Sequence, residues 1–168
     1  MTVVGPEIIT TAATFASGVL AGASLDQSIK QLPARHKLGA AAFRDYVRAA
    51  DLGPGVAWYA ALGVGAAALT VAASLAAIFG MRAPGIHLLV PAIAAGALAI
   101  LHTFTTTRAA PIYMGLRTDA GSVDVLETAF TRFARWQAAR ATLQILTFAA
   151  LVWLLAETIA AGMSILSR

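Results

Sequence analysis

The chain has 168 residues, of which 59% are hydrophobic and only 12% charged; an average soluble domain is roughly half apolar and a quarter charged, so a water-soluble monomer and a disordered chain are both excluded. With no Cys, disulfides, Cys-ligated zinc, iron–sulfur clusters and dithiol relays are excluded as well. The formal charge of +4 comes from basic residues scattered over connecting segments without an aromatic-interleaved basic stripe, so the expected partner is the lipid bilayer and not nucleic acid.

A membrane-spanning helix needs about 20 mostly apolar residues, and the sequence offers four such runs. The first covers 6–25, with Pro6 suited to a helix start and Asp26 expected to end it. The preceding residues lack a basic stretch and Glu7 follows them, so this run is expected to stay in the mature protein instead of being cleaved as a signal peptide. At 100° per residue Glu7, Thr11, Thr14, Gly18 and Gly22 share one arc, and Gly18 with Gly22 gives a small-xxx-small contact.

The connection from Asp26 to Gly55 carries Leu38, Ala42, Phe43, Tyr46 and Val47 at helical spacing, opposite Lys37, Arg44, Arg48 and Asp51. This pattern predicts an amphipathic helix lying on the membrane surface. The second run, 56–79, has no charged residue, follows the breaker Gly53-Pro54-Gly55, and starts with Trp58 and Tyr59 where an interfacial aromatic belt belongs. Its packing seam is read as Gly63, Ala67, Thr70 and Ser74.

A short turn from Gly80 to Gly85 leads into the third run, 86–107, which holds Pro91 as a candidate kink and is expected to stop before Arg108. His87, Pro91, Ala95, His102 and Thr106 lie along one side of it. The connection from Arg108 to Arg135 contains a second amphipathic piece (Val125, Leu126, Ala129, Phe130, Phe133) that leads toward the fourth run, 136–158. There Phe133, Trp136, Gln137, Arg140, Gln144 and Thr147 share an arc. The expectation is an all-α integral membrane four-helix bundle, one transmembrane domain over 1–168, with amphipathic surface segments in two connections.

Ten of the twelve basic residues fall in or at the border of the two long connections, and only Arg82 and Arg168 on the other side. Basic loops stay in the cytoplasm, so the expected topology is a multi-pass inner-membrane protein with both termini outside. Asp26, His102, Arg108, Gln137 and Arg140 are then expected near the cytoplasmic mouth of the bundle, where intramembrane polar groups often mark function. Interfacial snorkelling and local hydroxyl partners are the competing structural explanation. Glu7 with His87 forms a weaker constellation near the outer face. Three His residues without His-x-x-x-His or Glu-x-x-His spacing give no expected metal, haem or other cofactor. No phosphate loop or nucleophile elbow is present.

The stretches GASLDQSIKQLPAR, APIYMGL and RFARWQAAR resemble the anthrone-oxygenase-like family of small four-helix membrane proteins over nearly the whole chain. That family carries a Pro-x-Asn element, a Pro-Ala-Arg element and a Trp-x-x-Trp-His-x-x-Arg start to its last helix. Here Pro111, Pro33-Ala34-Arg35, Trp136 and Arg140 match, while Tyr113 replaces the Asn, Phe133 the first Trp and Gln137 the common His. The resemblance implies oxidation of polycyclic anthrones to anthraquinones by oxygen without an organic cofactor. Gln137 cannot serve as the general base that a His would supply.

Two functions are therefore expected. The first is a non-catalytic accessory or scaffold subunit of a membrane complex, with other membrane proteins as partners. The alternative is an oxygenase-type enzyme acting on a lipophilic aromatic or quinone-like molecule, held by Phe104, Phe133, Trp136 and Gln137. His102 would be its base and Arg108 or Arg140 the stabiliser of a developing phenolate. Gly18, Gly22 and Gly63 are expected at helix contacts under either reading.

Overall fold

A computed structural model of the protein describes residues 5–80, 84–118 and 121–166, with side chains as far as residue 163. Arg82, Arg168, the middle of the Gly80–Gly85 turn and the first four residues lie outside the described residues. What is described is helical, with no strand among the described residues. Four helical stretches are long and apolar enough to cross a membrane: Pro6–Leu38, Gly55–Phe79, Ile86–Gly115 and Val123–Met163.

The first stretch does not stop at Asp26. Helix α1 (Pro6–Asp26) passes through a π turn (Gln27–Gln31) into α2 (Leu32–Leu38). Asp26 is held inside the helix by an ion pair to Lys30 and a hydrogen bond from Gln31 Nε2 at 2.6 Å, and Pro33 lies in the first turn of α2, where its missing N–H is tolerated. The chain turns at Gly39, whose φ of 80° suits glycine, into α3 (Ala40–Ala49). Phe43 and Val47 of α3 are buried, but Leu38 and Tyr46 of the expected stripe are exposed.

Helix α4 (Gly55–Phe79) matches its expected span closely. Helix α5 (Ile86–Gly115) contains Pro91 and Pro111 and runs past Arg108 for another two turns. Helix α6 (Val123–Leu166) is continuous over 44 residues, about 66 Å at 1.5 Å per residue and twice the thickness of a hydrocarbon core. The second expected amphipathic piece, 124–135, is thus the beginning of the same helix, with Leu126, Phe130 and Phe133 buried and Val125 exposed; no Pro interrupts the helix, and its only Gly is Gly162.

Helices α1, α4, α5 and α6 form a ring in which each packs on the two beside it in chain order, closing between α1 and α6. Adjacent helices run antiparallel: Thr14 approaches Leu151 while Ser24 is reached by Gln137. The buried face of α1 is Thr10, Ala13, Ser17, Leu20, Ala21 and Ser24, rotated from the arc read in the sequence. Of the three glycines expected at contacts, only Gly18 meets a neighbour, since a Cβ there would lie 3.0 Å from the Phe148 ring. Gly22 is exposed and Gly63 borders open space, which corrects those two assignments.

Two apolar cores occupy opposite ends. One, near the α4–α5 turn, is built from small and aliphatic residues including Ala73, Ala77, Leu88, Ala92, Leu151 and Leu154. The other gathers the long connections around Phe43, Leu52, Tyr113, Leu126, Phe130 and Phe133. Phe43 meets Phe130 edge-on at 5.0 Å between ring centroids, so the apolar face of α3 is covered by α6. Between the two cores lies a polar layer.

Candidate ligand-binding site

The small residues of α4 and α5 bring these helices together near their connecting turn, where a Cβ on Gly96 would come within 3.2 Å of Ser74 Oγ. Further along they part. The gap is a lateral cleft of about 840 Å³, within the range of small-molecule sites. Its sides carry Ala60, Gly63, Val64, Ala67, Val71 and Ile100, and its floor carries Ser24 of α1, His102 of α5, and Arg140 with Gln144 of α6. Val64, Ala68, Ile100 and Thr103 along its rim are exposed on the outer face of the bundle.

The floor is polar and incompletely satisfied. His102 is 4% and Gln144 3% exposed. Among the described residues His102 Nδ1, Gln144 Oε1 and Arg140 Nε have no hydrogen-bond partner. A buried polar atom left unpaired costs roughly 1–3 kcal/mol; three of them belong to residues of this floor, and Gln31, Arg35, Ser74 and Gln137 carry others outside the cleft lining. Arg140 makes no ion pair among the described residues; its Nη2 donates to Gln27 Oε1 at 3.2 Å.

A smaller chamber of about 220 Å³ adjoins the cleft and shares Tyr59, Ala60, Thr106 and Arg140 with it. Its remaining walls include Gln27, Asp51, Val56, Tyr113 and Phe133. Asp51 is 7% exposed, although its expected position was the solvated face of an amphipathic helix. Helix α3 ends at Ala49, and the turn that follows directs Asp51 inward. There Tyr113 Oη donates to Asp51 Oδ2, and Gln27 Nε2 donates to the same oxygen at 3.4 Å. The turn is fixed from both sides by Arg117 Nη2, which donates to Leu52 O, and by Gly53, where a Cβ would lie 2.7 Å from Ala49 O. Tyr113 in turn stacks on Phe133, with ring centroids 4.1 Å apart and an interplanar angle of 17°.

Of the residues expected at the site, His102 and Arg140 line the cleft and Phe133 lines the adjoining chamber. Arg108 and Phe104 do not join them. Both are exposed, with the guanidinium carbon 5.1 Å from the ring centroid, because the turn of α5 that points His102 inward points them outward. Gln137 is fully buried but donates to Ser24 O at 3.2 Å and Ser28 Oγ at 3.3 Å, tying α6 to the start of the π turn. Trp136 packs on the aromatic core and borders neither cavity. His87 is exposed and makes no ion pair with Glu7 among the described residues. No group of three or more potential metal ligands occurs among the described residues.

Sequence reasoning passed over Asp51, Tyr59, Gln27 and Gln144 as site members. Gln144 shared the arc of Arg140, and the Gly53-Pro54-Gly55 breaker beside Asp51 was the available signal that the helical phase stops before it. Comparison of the chain with family models, with curated proteins and with solved structures finds no match.

Proposed function

We propose that this protein is a multi-pass membrane protein that takes a lipophilic, oxygen-bearing molecule from the bilayer into the cleft between α4 and α5. The single observation that carries this reading is the unpartnered polar set of His102, Arg140 and Gln144 at the floor of an otherwise apolar cleft that opens outward. An apolar ligand body replaces lipid against Ala67 and Val71, and its oxygen accepts from Arg140. From Ile86 to His102 is about 24 Å along the helix at 1.5 Å per residue, so the floor lies toward one edge of a roughly 30 Å hydrocarbon core. The basic connections lie on that side, which the positive-inside rule assigns to the cytoplasm.

The same floor supports an enzymatic form of the reading. His102 takes a proton from a phenol or from a carbon beside a carbonyl, and Arg140 stabilises the negative charge that develops on the oxygen. Oxidation of an anthrone by dioxygen to an anthraquinone and water is the reaction that the family resemblance implies. The accessory-subunit reading rests on exposed apolar faces, which any bilayer-embedded chain presents, so the cleft favours ligand binding over it.

The test is mass spectrometry of the protein extracted in native lipid, comparing wild type with Ala67→Trp, which fills the cleft. The expected result is a small lipophilic ligand on the wild type and at least a tenfold loss of it in the variant. A stoichiometric protein partner with no ligand, or equal ligand in both proteins, overturns the reading. If the ligand is also turned over, His102→Ala is expected to slow the reaction by about 10²–10⁴-fold, and unchanged turnover removes His102 from its proposed role.

A further inference from the structure

The inner chamber narrows the ligand class, an inference that rests on the cleft reading. A cavity of about 150 Å³ holds benzene, so a chamber of about 220 Å³ takes one substituted ring and not three fused ones. It lies against the larger cleft, the two sharing Tyr59, Thr106 and Arg140. The combined shape suits a molecule with a single polar ring and a long apolar tail.

The polar groups specify which oxygens the ring carries. At one end stands Arg140, which lines the chamber and whose buried Nε–H makes no hydrogen bond. At the other, the hydrogen bonds to the buried Asp51 carboxylate both go to Oδ2, and among the described residues Oδ1 accepts none. The Gln27 amide already spans the two groups, giving its oxygen to Arg140 and an N–H to Asp51. A ligand that bridges them needs the same pattern: an oxygen that accepts at one end and a group that donates at the other. A carbonyl at both ends fails, because it places an acceptor against the carboxylate, which itself only accepts.

We propose that the inner chamber is a head-group site for a tailed monocyclic quinol, with one ring oxygen accepting from Arg140 and the opposite hydroxyl donating to Asp51. The tail lies in the α4–α5 cleft. Binding is selective for the reduced form, since the corresponding quinone has no hydroxyl to give.

The test titrates the protein in lipid nanodiscs, under anaerobic conditions, with a benzoquinol carrying a ten-carbon tail and with the matching benzoquinone. The wild type is expected to bind the quinol at least tenfold more tightly than the quinone. Asp51→Asn is expected to bring that ratio close to one. Ala110→Leu, which fills the chamber from α5 without touching a charge, is expected to weaken the quinol at least tenfold, and it decides the matter if Asp51→Asn fails to fold. Equal affinities in the wild type, a ratio that survives Asp51→Asn, or indifference to Ala110→Leu overturns the head-group site. If binding in those cases is still lost in Ala67→Trp, the cleft reading survives alone; if no binding depends on Ala67, both fall.

Discussion

Gln137 and Arg140 stand three residues apart on one face of α6, yet their surroundings give them different roles. Gln137 is enclosed and its Nε2 donates to the backbone of Ser24 and the hydroxyl of Ser28, whereas Arg140 lines the cleft and donates to Gln27; each keeps one buried atom without a partner, Gln137 Oε1 and Arg140 Nε. Interhelical hydrogen bonds in membranes average well under 2 kcal/mol. Gln137→Ala is therefore expected to lower stability by about 1–2 kcal/mol while leaving ligand retention intact. Arg140→Gln is expected to do the reverse, losing most of the ligand with a smaller change in unfolding. Reversible unfolding in mixed micelles, paired with measurement of the retained ligand, checks both arms. That the two residues face inward was legible from helical spacing alone. Which of them borders the cleft was not, because their partners come from α1 and the π turn, more than a hundred positions away.

The helices differ in how well sequence marks their faces and ends. Helix α6 presents Phe133, Gln137, Gln144 and Thr147 inward as expected, because charged and polar residues on it leave one clear arc. Helix α1 is small and apolar nearly all round, so its phase is set by two neighbours, α4 and α6, and its buried face differs from the arc read by spacing. The glycines test this. A side chain at Gly18 runs into Phe148, while Gly22 faces open space. Gly18→Leu is expected to destabilise by about 1–3 kcal/mol through overpacking. Gly22→Ala is expected to stabilise by about 0.5–1 kcal/mol through helix propensity. Thermal unfolding in detergent distinguishes the two, and equal effects would place Gly22 at a contact after all. The helix ends were misjudged wherever a charged residue was taken as a terminator: Asp26 and Arg108 both lie inside helices, the first paired with Lys30 and the second stacked on Phe104.

At the scale of the whole molecule, the helical ring carries an aromatic core built from its connections at one end and an alanine-rich core at the other, with the polar layer between. The proposed topology puts the connection end in the cytoplasm. Because the chain has no Cys, a single cysteine at exposed Lys37 or Arg132 is a clean reporter. Each is expected to react with a membrane-impermeant maleimide only after the cells are opened. Labelling of intact cells at either position reverses the topology.

Composition and run length by themselves determined that the chain is helical and suited to a bilayer, because a 20-residue apolar run has few other stable environments and must satisfy its backbone internally. Helical spacing also placed His102, Arg140 and Phe133 on inward faces. Only the tertiary structure decided that α4 and α5 part to leave a cleft, that Asp51 turns inward onto Tyr113 and Gln27, and that Arg108 stays outside. Each of these depends on contacts between residues far apart in the chain, where close packing at one end of a helix pair fixes how far it opens at the other, and local periodicity carries no record of that geometry.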